Sequence, residues 1–264
     1  MLPRVNLVRG NSADYLLFST GDAISRTIYV RGAWAEPLIT ISRMFYEGGS
    51  APLVLDIGAN LGAYAIAVAQ DLQKLGGTVY AYEAQRLVYY QLCGNLILNR
   101  LDNVHAFHMA IGEDDGSIDI PLIDYASSEN IGGFSLDQAI RDQVSAVAID
   151  REQRAERVAM ARLDSIAFPK AADLIKIDVE GFEHRVLKGG VGFLEAGSFP
   201  PLILEAWRDE WFRERRAELM AFLDRLGYVC FELLDEVVAQ HPQHARHVDF
   251  VLQADGGLQL VRTR

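Results

Sequence analysis

Residues 51–75 read APLVLDIGANLGAYAIAVAQDLQKL, and this stretch decides the fold. APLVLDIG (51–58) is a short apolar run closing on Asp56 and Gly58, the pattern of a fully buried strand. LGAYAIAVAQDLQKL (61–75) has helical spacing and stops at Gly76-Gly77. Moving outward, TVYAYEA (78–84) reads as a second strand, RLVYYQLCGNLILNRL (86–101) as an amphipathic helix and VHAFHMAIG (104–112) as a third strand. A βαβαβ beginning implies a parallel sheet with right-handed crossovers.

The alternation resumes late in the chain. ADLIKIDV (172–179) is a strand, EHRVLKGGVGFLEAG (183–197) a helix, PLILEAW (201–207) a strand and 208–226 a helix, with YVCFELL (228–234) and HVDFVLQA (247–254) as closing strands. Between the two blocks, residues 116–163 break the rhythm with strand-like SIDIPLI and RVAMARL around the polar loop ASSENIGGFS (126–135). The expectation is a doubly wound α/β sheet of about seven strands, mostly parallel with one antiparallel late strand, plus an inserted β-rich segment. Residues 1–50 form an N-terminal extension packing on the main domain at 51–253, and 254–264 form a C-terminal tail.

Composition narrows the function. The 264 residues are 50% hydrophobic and carry a formal net charge of −11. Such a chain is poorly suited to phosphate backbones, which need clustered Lys and Arg, so no nucleic-acid partner is expected. Two cysteines, Cys93 and Cys230, cannot build a disulfide framework and suit a reducing compartment. There is no signal-peptide core and no apolar run long enough to span a membrane. A cytoplasmic protein with no membrane partner is the expectation; oligomeric state is not readable.

In open α/β sheets the ligand sits beyond the carboxyl ends of the strands. There, Gly58 and Gly62 allow a tight turn and close approach, and the following helix directs free N–H groups to the same place. A dinucleotide fingerprint would put glycine where Asn60 stands. Asp56 would also repel a pyrophosphate, whereas a cationic or amino-bearing ligand suits it. Glu83 ends the second strand, placed to accept hydrogen bonds from ribose hydroxyls. Together these residues favour S-adenosylmethionine. A nucleotide-dependent dehydrogenase on the same fold is the rival, and the missing glycine counts against it.

The stretch ADLIKIDVEGFEHRVLKGG (172–190) carries charges inside a buried strand, each costing about several kcal/mol unless paired or solvated. Lys176 and Asp178 project to one side, and Glu180 joins them if the extended geometry persists to Gly181. Glu205 ends the next strand. Methyl transfer to a hydroxyl needs a proton acceptor. Asp178 or Glu180 fits that task, as does Lys176 if burial depresses its pKa; His184, one turn on, is a weaker candidate. No spacing among these groups is diagnostic of a metal, and none is expected. His241, His244 and His247 are spaced by three, but Pro242 interrupts the helix a zinc site would need. Ser128, Asn130 and Ser135 in the inserted loop, with Trp207, are the acceptor-binding candidates.

VLDIGANLGAYAIAVA, VYAYEA, MAIGEDDG, ENIGGFSL, ARLDSI and LIKIDVEGFEHRVLKGG occur in the order seen in FkbM-family methyltransferases. The chain resembles that family over about residues 50–206. The resemblance implies a Rossmann-like methyltransferase domain that uses S-adenosylmethionine to O-methylate a hydroxyl on a sugar or natural-product small molecule. It adds Ala84 and Ala110, in the second and third motifs, to the cofactor set of Asp56, Gly58, Asn60, Gly62, Glu83 and Asp178. A non-catalytic S-adenosylmethionine-binding protein is the reading from another class.

Overall fold

The computed structural model describes residues 4–19, 22–125, 128, 130–144, 148–149, 152, 154–253 and 258–263. The chain opens with a hairpin, Val5–Arg9 (β1) and Asp14–Phe18 (β2), then two helices, Ala23–Arg31 (α1) and Glu36–Tyr46 (α2). Leu53–Ile57 (β3), Ala63–Gln73 (α3), Thr78–Glu83 (β4), Arg86–Leu98 (α4) and Val104–His108 (β5) follow as the expected βαβαβ block. The inserted segment contributes Ala110–Ile111 (β6), Gly116–Pro121 (β7), Gln138–Val144 (α5) and Ala155–Ala161 (β8). Leu174–Ile177 (β9), Glu183–Lys188 (α6), Val191–Ala196 (α7), Leu202–Glu205 (β10) and Arg213–Arg225 (α8) resume the winding. Val229–Leu233 (β11), Glu236–Gln240 (β12), Val248–Leu252 (β13) and Leu258–Arg262 (β14) complete it.

Seven strands form the central sheet in the order β11-β12-β10-β9-β3-β4-β5. All adjacent pairs from β5 to β10 are parallel, and β12 runs antiparallel to both its neighbours. The doubly wound architecture with one antiparallel late strand is therefore present, but its late strands differ from expectation. HVDFVLQA does not join the sheet; β13 pairs with β14 in a separate hairpin. The place is taken by EVVAQ, which turns back from β11 through only Leu234 and Asp235. That connection lacks the Asn-Gly or Gly signal of a two-residue hairpin, so the sequence pattern hid it.

Every residue of β3 is buried, because helices cover both faces of a parallel sheet. Val54 packs among α2, α3 and α4, while Leu53, Leu55 and Ile57 face the layer of α6, α7 and α8. The N-terminal hairpin docks on α4 through side-chain amides. Leu16 N–H donates to Asn95 Oδ1 at 2.6 Å, Asp14 N–H to Asn99 Oδ1 at 2.9 Å, and Gln91 Nε2 to the Leu16 carbonyl at 2.7 Å. These amides satisfy backbone groups that an edge strand would otherwise leave open. The insertion forms a three-stranded sheet, β6-β8-β7. No helix among the described residues is long and apolar enough to cross a membrane.

The chain runs outward from β3 to β4 and β5, then returns to the other side at β9. The order thus reverses between β3 and β9, where Asp56 lies beside Lys176 in register. A doubly wound sheet opens its ligand crevice at that reversal.

Candidate active site

Gly58 leaves β3 with φ +82°, and a β-carbon there would lie 1.8 Å from the Asp178 carbonyl oxygen. The glycine is thus demanded by the backbone that leaves β9, besides any ligand. Its N–H and that of Ala59 both donate to the Tyr82 carbonyl, at 3.0 and 2.9 Å. Gly62 turns into α3 facing Leu92, away from the crevice. The close approach of Gly132 to the Asn60 side-chain amide ties the inserted loop to this turn.

A cavity of about 320 Å³ opens at the reversal point, within the range of small-molecule sites. Gly58, Asn60, Glu83, Ala84 and Ala110 line it, together with Asn130, Gly132 and Phe134 of the insertion and with Asp178, Glu180 and Glu205. Glu83 accepts one backbone N–H on each carboxylate oxygen, from Asn60 at 2.9 Å and Gln85 at 2.7 Å. Burial lifts its carboxyl to about 7, against the pull of those two amides. Each oxygen keeps a lone pair for a further donor. Tyr82 lines the cavity as well, with its hydroxyl buried away from the open space and without a partner. A fixed carboxylate in a mostly apolar cavity fits a nucleoside bearing a ribose diol.

Below this cavity lies an ion cluster. Lys176 Nζ sits 3.2 Å from Asp56 and 3.1 Å from Asp178. Burial would lower the Lys176 pKa, but Asp178 and Asp56 outweigh it and hold the ammonium above its ordinary value. A buried lysine with depressed pKa, one of the expected bases, is therefore not what the fold builds. Asp56 is fully buried against that lysine and lines neither this cavity nor its neighbour, so its role toward a ligand is at most indirect.

The extended geometry ends at Ile177. Glu180 takes φ +56° and Gly181 φ +96°, so Glu180 reaches the cavity by a left-handed turn instead of by strand alternation. Such a conformation costs a non-glycine residue about 1–3 kcal/mol and persists only where its surroundings impose it. Two side chains do so. Ser135 Oγ donates to the Glu180 carbonyl, and Glu183 Oε1 accepts the N–H groups of Val179 and Gly181 at 3.0 and 3.2 Å. Glu183 escaped the sequence reading; its signal was an acidic residue opening α6 just after a glycine turn.

One carboxylate oxygen from each of Asp178, Glu180 and Glu205 lies within 4.8 Å of the other two. Three negative charges at that spacing are not held together. Burial, then the neighbouring Asp178 and Glu183, raises Glu180 well above its ordinary range; burial, then Glu180 and Asp178, does the same to Glu205. The geometry suits shared protons or a hard cation with oxygen ligands. Glu205 receives Trp207 Nε1–H at 2.7 Å on one oxygen, and its other oxygen is buried without a partner.

Other expected residues lie off the cavity. His184 packs on Phe222 of α8, with Glu218 at 3.8 Å, because the short α6 turns it toward that helix. Ser128 donates to the Asp124 carbonyl and Ser135 to that of Glu180, so both hydroxyls secure backbone. Trp207 supports Glu205 and packs tilted against Trp211 and edge-on against Phe212. Of the acceptor candidates, Asn130 alone lines the cavity; Ala126, Ser127 and Glu129 of its loop lie outside the described residues.

A family model described as Methyltransferase FkbM domain matches residues 56–230, the span holding the crevice and the carboxylate cluster. The chain belongs to the FkbM family of S-adenosylmethionine-dependent methyltransferases. Among solved structures, the chain is similar to the FkbM methyltransferase of Methylobacillus flagellatus KT at 18% identity and TM-score 0.46, covering 72% of this chain and 43% of that one. It thus spans less than half of that protein's length. A tRNA (uracil-54, C5)-methyltransferase of Pyrococcus abyssi, in complex with S-adenosyl-L-homocysteine, aligns at 13% identity and TM-score 0.47, over 89% of this chain and 43% of that one. An S-adenosylmethionine-dependent O-methyltransferase of Thermotoga maritima aligns at 12% identity and TM-score 0.44, over 97% and 71%. No curated protein matches the sequence.

Proposed function

We propose that this protein O-methylates a hydroxyl on a small polyhydroxylated or natural-product acceptor in the cytoplasm. The observation that carries the reading is the convergence of Asp178, Glu180 and Glu205 on one cavity that Glu83 also lines. S-adenosylmethionine, when bound, supplies an electrophilic methyl on a sulfonium. Glu83 accepts the ribose hydroxyls, and the turn from Gly58 to Asn60 fixes the cofactor's position.

The chain's own residues then divide the work at the acceptor. Asp178, held by the Lys176 ammonium at 3.1 Å, takes the hydroxyl proton. Glu180 and Glu205, whose carboxyls are pushed toward the neutral form, donate hydrogen bonds that orient the acceptor oxygen. Lys176 stays charged throughout and balances Asp56.

Incubation with methyl-labelled S-adenosylmethionine and a panel of hydroxylated acceptors tests this reading. An ether product, lost in Asp178→Asn, is expected. Label found on nitrogen or carbon would overturn the O-methyl assignment, and no label on any acceptor despite cofactor binding would favour a non-catalytic binder.

A further inference from the structure

A second cavity, about 670 Å³, adjoins the first, and the two share Ile24, Trp34, Gly58, Asn60, Asp178 and Glu205 in their linings. Asp178 and Glu205, two of the three carboxyl groups proposed to handle the acceptor, therefore stand where the two spaces meet, while Glu180 lines the first alone. The second space has no wall from the inserted loop; beyond Ile24 and Trp34, which face both spaces, it is lined by the rest of α1, Leu38 and the β11–β12 connection.

Two features of that wall have no structural use elsewhere. Leu234, first residue of the two-residue β11–β12 connection, has φ +54° and is 75% exposed. Glycine or asparagine takes that conformation at little cost, whereas a branched apolar residue takes it only under strain. Leu234 gains no burial in return. Across the opening, Val30 is 74% exposed, and both residues line the cavity. Beside Leu234 the same lining carries Asp235, which accepts the Arg208 N–H, and Glu236, whose carboxyl burial pushes up to about 8; it also carries Arg26 and Arg31. Among the described residues neither guanidinium has a carboxylate or hydrogen-bond partner, in a chain whose net charge is −11. Unpaired arginines in so acidic a protein are available to an external anion.

We infer that the second cavity receives the methyl acceptor, and that this acceptor is an amphiphilic anion. Its hydroxylated part reaches Asp178 and Glu205 at the floor, an anionic group meets Arg26 and Arg31 at the rim, and an apolar portion covers Val30 and Leu234. The inference rests on the methyltransferase reading and names the substrate class that reading leaves open.

Calorimetry on the full chain, below micelle-forming concentrations, with decyl phosphate, decyl β-glucoside and glucose 6-phosphate tests it. Decyl phosphate is expected to bind one-to-one and at least about 10-fold tighter than the other two, since charge-assisted contacts are worth about a decade of affinity. Arg26→Ala with Arg31→Ala should abolish that preference. Leu234→Gly should weaken both decyl compounds about 5-fold through lost apolar contact, with thermal stability unchanged or raised because the strain is relieved. S-adenosylhomocysteine should bind alongside decyl phosphate without displacing it. The inference is overturned if decyl phosphate shows no preference, if the preference survives the arginine changes, if Leu234→Gly leaves binding unmoved, or if S-adenosylhomocysteine competes. Failure of S-adenosylhomocysteine to bind the unaltered protein would instead sink the methyltransferase reading, whatever decyl phosphate does.

Discussion

Ser135 Oγ donates a 2.7 Å hydrogen bond to the Glu180 carbonyl oxygen, so the insertion holds the left-handed turn that presents a cavity carboxyl. Replacing Ser135 with Ala leaves that carbonyl short of a donor, at a cost of about 1–3 kcal/mol. Turnover should fall about 10-fold from the lost alignment, with affinity for S-adenosylhomocysteine little changed. Ser135→Thr should recover part of the rate. Steady-state kinetics beside calorimetry separates the two effects, and an equal loss in both would mean that the turn also shapes the cofactor side.

Asp178 and Glu180 should not respond alike to isosteric amides. Asp178→Asn removes the proton acceptor and is expected to slow single-turnover methyl transfer by about 10²–10⁴-fold. Glu180→Gln replaces a carboxyl that burial and its neighbours already drive toward the neutral form. Its loss should stay within about 10-fold, the scale of one modest hydrogen-bond change. The reverse ranking in rapid-quench measurements would move the base to Glu180.

Cofactor affinity should depend on pH through Glu83. Its carboxyl lies at about 7 in the free protein, with Asp56 raising it and Lys176 lowering it after burial and the two amides. Ribose hydroxyls donate to the ionised form, so binding expels a proton and affinity should climb as pH rises to about 7, then level off. Glu83→Gln should flatten the profile and weaken binding at pH 8 by about 1–3 kcal/mol. Titrations in buffers of different ionisation heat would count the released proton; a count of zero across this range removes Glu83 from the contact.

Lys176→Met deprives the fully buried Asp56 of its cation. Breaking a buried pair from one side costs about 3–5 kcal/mol, more than the apolar replacement returns. Adding Asp56→Asn should recover much of that stability in urea unfolding. A single Lys176→Met variant as stable as the parent would show that Asp56 is carried neutral without help.

The unliganded protein should lose stability as pH rises. Glu83 and Glu183 sit at about 7 and Glu236 at about 8 when folded, against an ordinary 4.5. Groups that hold protons more tightly in the folded state contribute fully below their unfolded pKa, and that contribution is lost as pH climbs through the folded values. The window is therefore pH 4.5 to about 8. Thermal unfolding of Glu83→Gln with Glu183→Gln should show a shallower fall across it than the unaltered chain.

The sheet was legible because β3 and β10 are apolar runs up to the acidic residue near their carboxyl ends, a pattern that two-sided burial explains. Glu83 and Asp178 could be placed because strand ends in such sheets point at the crevice. Glu180 lines the cavity by a route that the pattern did not give: alternation predicted its side, whereas a left-handed turn delivers it. Asp56 looked like a ligand contact because sequence cannot tell a carboxylate facing a ligand from one facing a lysine across the sheet. The N-terminal wall was invisible for a different reason. Which helix covers a crevice depends on contacts between segments some 200 residues apart, such as Val30 and Leu234 around one opening, and no local pattern records them.

The position of β12 has a consequence for how the protein is made. Residues 236–240 slot between two strands that precede them in the chain, β10 and β11. Until they emerge from the ribosome, β10 has a parallel partner on one side and an open hydrogen-bonding edge on the other. An apolar edge of that kind recruits foreign strands. A nascent chain halted just before Glu236 would therefore be sticky although most of its sheet is formed, and the β11–β12 hairpin acts as the closure that ends this vulnerable interval.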